Sequence, residues 1–267
     1  MALVAQSTTQ TSTQTDNIAL LSSRKNLQME EIYQQTFSAK INYFEQGVPE
    51  RTHLEDFICG VYKKYYNADI DQFYPNLLAI ESRADNKRTI KAVAGIRSAE
   101  HEPLFSEYYL ANNLEDEIRQ HLGGKDNRAV SRKTIVEVGN LAPANVGQMR
   151  WLITSITGFL YSAGFKYLVF TGVPGISNSF TRMNIPLTVL AEAKRESLPE
   201  AIRDKWGPEY YQNKPMVFLG DIAQGYDIMK KMIYQLSRKQ EQKLIPLFEQ
   251  ACQAGFQSVH HVNGKVA

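Results

Sequence analysis

Two cysteines in 267 residues, Cys59 and Cys252, are too few for a disulfide framework and too far apart for a thiolate metal cluster. The simpler expectation is two reduced thiols, with one bridge between them as the alternative. The histidines (His53, His101, His121, His260 and His261) show no ligand spacing, so no metal is expected. No apolar run approaches the roughly 20 residues of a membrane span. The chain does not open on a basic stretch followed by an apolar one, and the location expected from this is the cytoplasm. Neither sign of charge prevails: a net +2 speaks against nucleic acid as a partner. A Gly-x-Ser-x-Gly elbow and a Cys/His pair are both missing, which argues against hydrolysis through a covalent enzyme intermediate.

What is present is the composition of a globular protein, 43% hydrophobic and 22% charged. Three segments differ in character. Residues 1–25 are rich in Ser, Thr and Gln and bear few large side chains. Such a segment buries too little apolar area to offset its ordering entropy, so a disordered leader is expected. Residues 26–225 carry the alternating helix and strand signals of one domain. Residues 226–267 read as a basic helical extension, with Lys230, Lys231, Arg238, Lys239 and Lys243 among Met229, Met232, Ile233, Leu236 and Leu244. A solvated face is the default reading of those charges; an acidic carrier protein or an anionic membrane surface are the alternatives. Pro246 is expected to break or kink this helix.

Within the domain, Leu54, Phe57, Ile58, Val61, Tyr62 and Tyr65 recur at helical intervals from Thr52. Apolar runs at 76–81 and 89–97, joined by a polar stretch at 82–88, predict an antiparallel hairpin. A charged helix follows over 114–122, stopped by Gly123 and Gly124. Residues 134–141 predict a strand whose internal Gly139 marks a bulge or a close backbone approach. A helix over 147–162 ends at Gly164, and the almost wholly apolar 166–171 predicts a strand covered on both faces. A strand, a helix and a strand over this length make a parallel crossover. A short helix over 177–183 and a late strand over 216–222 complete the expected elements.

The junction Asn140-Leu-Ala-Pro-Ala-Asn-Val-Gly147-Gln-Met-Arg150 runs from strand to loop to helix. First-turn amides lack intrahelical partners and the helix dipole adds positive charge, so such a junction suits an anion. Gly147 lets a phosphate approach the backbone, and Arg150 adds a charge. Further on, Asn178-Ser-Phe-Thr-Arg-Met-Asn-Ile185 resembles the asparagine-led helix after the fifth strand of GCN5-related N-acetyltransferases. The order of elements resembles that superfamily's core as well. The resemblance implies an α+β fold: a central mixed sheet flanked by helices, its parallel fourth and fifth strands splayed, with the C-terminal helical extension added. It implies a pantetheine arm in the splay and phosphate on the loop, held by Asn140, Leu141, Ala142, Val146, Gly147, Gln148, Met149 and Arg150. The superfamily loop is Arg/Gln-x-x-Gly-x-Gly/Ala, whereas this chain has Gly147 alone. That moves the expected donor from coenzyme A towards an acyl carrier protein.

A narrower resemblance covers most of 54–221. The strings Ala94-Gly-Ile-Arg97, Leu104-Phe-Ser-Glu-Tyr-Tyr-Leu110, Val136-Glu-Val-Gly-Asn-Leu-Ala142, Phe170-Thr171 and Trp206-Gly-Pro-Glu-Tyr-Tyr211 are similar to those of the thermostable hemolysin family. That family is in turn similar to acyl-homoserine-lactone synthases and N-acyl amino acid synthases. The resemblance implies an acyltransferase moving a fatty acyl group from an acyl-phosphopantetheine thioester, a co-substrate rather than a bound cofactor, to a small amine such as an amino acid. It implies Glu137 and Glu107 as catalytic carboxylates, and Arg97, Tyr108, Thr171, Asn178 and Arg182 as substrate contacts. The synthases continue Glu-x-Ser-Arg where this chain has Glu137-Val-Gly-Asn140, so the basic partner falls to Arg97 or Arg150. A membrane-active toxin, as the family name suggests, and a silent acyl-binding module are the rival readings.

Overall fold

The computed structural model describes residues 39–84, 87–122, 130–235 and 244–263. The Ser/Thr/Gln leader, the stop at Gly123 and Gly124, and the stretch with Leu236, Arg238, Lys239 and Lys243 lie outside the described residues.

Along the chain come β1 (Ala39–Phe44), α1 (Thr52–Tyr66), β2 (Asn76–Ala84), β3 (Lys87–Ser98) and α2 (Leu114–His121). They are followed by β4 (Ile135–Pro143), α3 (Met149–Ser162), β5 (Tyr167–Gly172), α4 (Pro174–Arg182) and β6 (Thr188–Glu192). Two short helices, α5 (Glu200–Arg203) and α6 (Gly207–Gln212), lead to β7 (Met216–Asp221), α7 (Ile222–Lys230) and α8 (Ile245–Asn263). The strands form one seven-stranded sheet in the order β1-β2-β3-β4-β5-β7-β6. β4 and β5 run parallel, and every other neighbouring pair is antiparallel. This is the mixed α+β, acetyltransferase-like architecture that the resemblance implies.

The central pair is short. β4 and β5 pair only through Ile135, Val136 and Glu137 against Tyr167, Leu168 and Val169. Beyond Glu137 the β5-facing edge of β4 has no strand partner among the described residues, while its other edge stays on β3 as far as Pro143. A bulge accompanies the parting: the β3–β4 register shifts between Val93 and Gly95, and Asn140 adopts a left-handed φ of 47°. Bulges bend a strand and increase its twist, which carries β4 away from β5.

The two sheet faces bury different cores. Val136 and Val138 face Leu152, Ile156 and Phe159 of α3, with Leu247, Phe248 and Ala251 of α8 in the same cluster. α8 lies against α3 at glycines: a Cβ on Gly255 would run into the Phe159 carbonyl oxygen, and one on Gly158 would stand 3.0 Å from Cys252 Sγ. The other face is covered by α1 over β2 and β3, and by the 105–109 turn, α2 and α5 over β5 and β7.

Several local expectations are corrected. The hairpin extends into the polar 82–88 stretch, because Ser82 and Arg83 pair with Thr89 and Arg88 through backbone groups that ignore side-chain polarity. Pro246 is not inside a described helix but in the first turn of α8, where its missing N–H has no partner to lose. The preceding helix α7 runs on into a π turn at Lys231–Gln235. The edge strands β1 and β6 are additions that no clear apolar alternation announced.

Candidate active site

Glu137 is 1% exposed and is the last residue of β4 paired with β5. Its carboxylate accepts from Phe105 N at 2.8 Å, from Ser106 N at 2.7 Å and from the Ser106 hydroxyl. The Tyr74 phenol faces it. Burial raises the Glu137 carboxyl above the ordinary glutamate range, and the Ser106, Tyr74 and Phe105 donors oppose that rise without cancelling it. Burial and the facing Glu137 hold the Tyr74 phenol well above its usual value, so it stays protonated as a donor.

Arg97 is the cross-strand partner of Glu137, and Gly95 is the partner of Gly139. Side chains two apart on a strand share a face, so these four positions form one patch. Tyr74 lies over its glycine half: a Cβ on Gly139 would stand 2.5 Å from Tyr74 Cζ, and one on Gly95 2.8 Å from Tyr74 Cβ. The expectation of a close approach at Gly139 is met, and the approaching group is Tyr74. The Arg97 guanidinium sits 4.7 Å from the Tyr74 ring centroid and has no ion-pair partner among the described residues.

Two devices fix the loop before β2. Asn140 Oδ1 accepts from Tyr74 N at 2.9 Å, while its Nδ2 reaches Gln72 O at 3.3 Å. Buried Arg51 donates to Tyr74 O at 2.9 Å and Pro75 O at 2.6 Å, and pairs with Glu55 at 2.7 Å.

Glu137, Tyr74, Arg97 and Thr171 line a cavity of about 60 Å³. That is room for roughly one or two waters. Asp71, Gln72 and Arg97 make its polar end; Phe105, Trp206 and Tyr210 are among the residues at its apolar end. The polar end continues into an outer groove of about 560 Å³ beside the 46–52 turn, which shares Asp71, Gln72 and Arg97. On the far side of the parting strands lies an apolar groove of about 210 Å³, between α1, the end of β4, the start of α3 and α4. Between the two, the Tyr62 hydroxyl stands beside the Leu141 backbone.

The sequence-predicted residues divide accordingly. Arg97, Glu137, Thr171 and Asn140 line the cavity, and Thr171 Oγ1 lies 3.1 Å from Ser106 Oγ. Leu141, Val146 and Met149 line the apolar groove. Ala142 is buried in the core under α1 and Gln148 is buried, while Gly147 is exposed with a Cβ direction that meets only Asn145 Oδ1, at 3.4 Å. Arg150 reaches Met232 Sδ at 3.4 Å, and Asn178 and Arg182 are exposed on α4. Tyr108 is 44% exposed beside Phe105.

Glu107 does not line the cavity. Its Oε1 accepts from Leu104 N at 2.7 Å and from Arg132 Nη2 at 2.6 Å. It thereby clamps the turn Phe105–Tyr109 whose amides hold Glu137. Sequence reasoning missed Tyr74 and Ser106; the signals were an aromatic before Pro75 and a glycine at the same face of two neighbouring strands. Among the described residues no three His, Cys, Asp or Glu side chains are grouped to hold a metal, and no helix is long and apolar enough to cross a membrane.

The profile of the family described as thermostable hemolysin matches residues 44–226, more than half of the chain. The chain belongs to the thermostable hemolysin family. No curated protein matches it. Solved structures similar to this family member include TofI in an apo form, at 12% identity over 71% of this chain and 95% of that one, with a TM-score of 0.48. Also similar is MesI, a CoA-dependent acyl-homoserine lactone synthase, at 14% identity over 74% and 97%, with a TM-score of 0.44. A third is FeeM, an N-acyl amino acid synthase from uncultured soil microbes, at 11% identity over 70% and 93%, with a TM-score of 0.45. At such distances the chemistry of the site stands on this chain's own side chains.

Proposed function

We propose that this protein is an acyltransferase that moves an acyl group from a phosphopantetheine thioester directly to the amino group of a small acceptor such as an amino acid, forming an amide. The observation that carries this reading is the buried, raised-pKa Glu137 at the point where β4 and β5 part, facing an Arg97 with no ion-pair partner among the described residues. A carboxylate of this kind suits proton removal from an amine near neutral pH. A guanidinium with free donors suits a carboxylate.

The donor arm enters by the apolar groove and follows the β4 edge that lacks a strand partner, its phosphate towards the start of α3. With Gly147 as the loop's one glycine, an acyl carrier protein fits this entry better than coenzyme A. The acceptor enters by the polar groove with its carboxylate on Arg97. Its amine attacks the thioester carbon, the proton leaves towards Glu137, and the thiolate departs. Negative charge on the carbonyl oxygen develops beside the 140–141 backbone and the Tyr62 hydroxyl. A fatty chain exceeds the cavity of about 60 Å³, so its entry displaces the segment bearing Trp206 at the apolar end.

The test is incubation of the purified protein with acyl carrier protein or coenzyme A thioesters and a panel of amino acids, with mass spectrometry for the amide. Amide formation supports the reading. Absence of product with every donor, together with absence of thioester binding by calorimetry, overturns it. Lysis of red cells by small-molecule extracts of producing cells, and not by the protein alone, connects the family's description to such a product.

A further inference from the structure

We propose that Tyr74 is a catalytic residue of this site, its hydroxyl taking the proton from the acceptor amine while passing its own to Glu137. This rests on the acyl-transfer reading above.

The first reason is occupancy. A carboxylate offers about four lone-pair sites. At Glu137 three of them are met by Phe105 N, Ser106 N and the Ser106 hydroxyl, and the Tyr74 phenol faces the carboxylate from the cavity. An amine in the cavity therefore meets a carboxylate that is largely taken up, with Tyr74 facing what is left of it, and its proton passes through one of the groups around Glu137. The two amides belong to the turn clamped by Glu107 and Arg132, and an amide cannot relay a proton at this cost. Of the two hydroxyls, Ser106 is fully buried and turned to Thr171, whereas Tyr74 lines the cavity.

The second reason is placement. The Tyr74 oxygen would stand 2.7 Å from a Cβ on Gly139, so it lies over the backbone two residues past Glu137, where β4 has just left β5. That is where a thioester lying along the unpaired edge of β4 would bring its carbonyl. The position is built rather than incidental: two glycines clear space for the ring, the left-handed Asn140 holds its amide, and Arg51 holds its carbonyl.

The third reason is that one side chain carries both functions. The Tyr74 ring supports Arg97 at 4.7 Å, and its hydroxyl meets Glu137. An α-amino acid anchored by its carboxylate on Arg97 thus has its amine directed at the far end of the same ring. The amine lone pair forms the C–N bond, its proton passes to the Tyr74 oxygen, and the Tyr74 proton passes to Glu137. The C–S bond breaks with its electron pair on sulfur; the thiolate takes a proton from solvent and Glu137 returns its own.

Tyr74→Phe in the full chain tests this, because it keeps the ring under Arg97 and removes only the hydroxyl. The expected result is a kcat lower by about 100-fold or more, with the acceptor KM within about twofold of wild type on the ground that its anchor is intact. Rates in mixtures of light and heavy water should show two protons in transit in the wild type. A Tyr74→Phe protein with wild-type kcat overturns the proposal, as does one that loses kcat and acceptor KM together in the manner of a collapsed site. A wild-type protein that acylates no amine overturns the acyl-transfer reading instead. The Glu137 carboxyl, followed by carbon-13 resonance and assigned with Glu137→Gln, then decides the link itself: its pKa rises in Tyr74→Phe if the hydroxyl is bonded there, and an unmoved titration overturns it.

Discussion

Gly95 and Gly139 are partners across β3 and β4, and the Tyr74 ring fills the space that their absent side chains leave. Neither position has a positive φ, so the need for glycine is one of room rather than backbone conformation. Gly139→Ala places a methyl 2.5 Å from Tyr74 Cζ, which the ring must vacate. Overpacking of this kind costs about 1–3 kcal/mol, readable as a lower urea midpoint. Combined with Tyr74→Ala the penalty should shrink, because the clash is gone; full additivity would show that the two do not interact.

Glu137→Gln removes the proton acceptor and leaves the fold of β4 in place. Acyl transfer should fall by about 10²–10⁴-fold. In the wild type the acid limb of kcat/KM should lie above the ordinary glutamate range, since burial raises this carboxyl. The same shift has a stability sign. A raised folded-state pKa means that the native state binds the proton more tightly than the unfolded chain does. Its contribution is therefore full below the unfolded value and is lost as pH rises through the folded one.

Arg97→Ala separates binding from chemistry. A charge-assisted hydrogen bond is worth about 1.5–3 kcal/mol, so the KM for an acceptor bearing a carboxylate should rise roughly 10- to 100-fold by that energy. An amine of similar size without a carboxylate should be used equally by both proteins. Equal loss for both amines would place Arg97 in a structural role beside Tyr74.

Glu81 titrates in the opposite sense to Glu137. It is buried, which works to raise its pKa, but Arg88 Nη2 at 2.5 Å, His53 Nε2 at 3.2 Å and Asn42 Nδ2 at 2.5 Å together hold it below the usual value. A lowered folded-state pKa contributes stability above the unfolded value that is lost as pH falls through the folded one. Wild type should thus lose melting temperature on acidification, and Glu81→Gln should flatten that slope while lowering stability at neutral pH.

The parts of the fold that were legible are those with strong local signals. The stripe from Leu54 to Tyr65 and the apolar 166–171 run declare α1 and β5 because burial repeats at their own periods. β6 escaped because an edge strand half in solvent needs no alternation, and its burial pattern shows little. At the candidate site, Arg97 and Glu137 were singled out through resemblance, and their cross-strand register sets them side by side. Tyr74 was not. It stands in an unpaired stretch before Pro75, and its meaning comes from Gly95, Gly139 and Asn140, which lie far along the chain. Glu107 misled for the same reason: a carboxylate in a quoted motif looks chemical, yet Arg132 turns it away from the cavity. Asn178 and Arg182 follow the superfamily pattern in sequence but lie on the solvent side of α4.

The parting of β4 and β5 also has a mechanical meaning. A sheet seven strands wide is sutured at its middle by three residue pairs. Its pairing sets β1 to β4 beside β5 to β7 along a seam that opens at one end. A thioester arm lodged in the seam would act as a weld between them. Amide hydrogens along 138–142 and 170–172 should then exchange more slowly in its presence than those of the outer strands, and the whole chain should melt at a higher temperature.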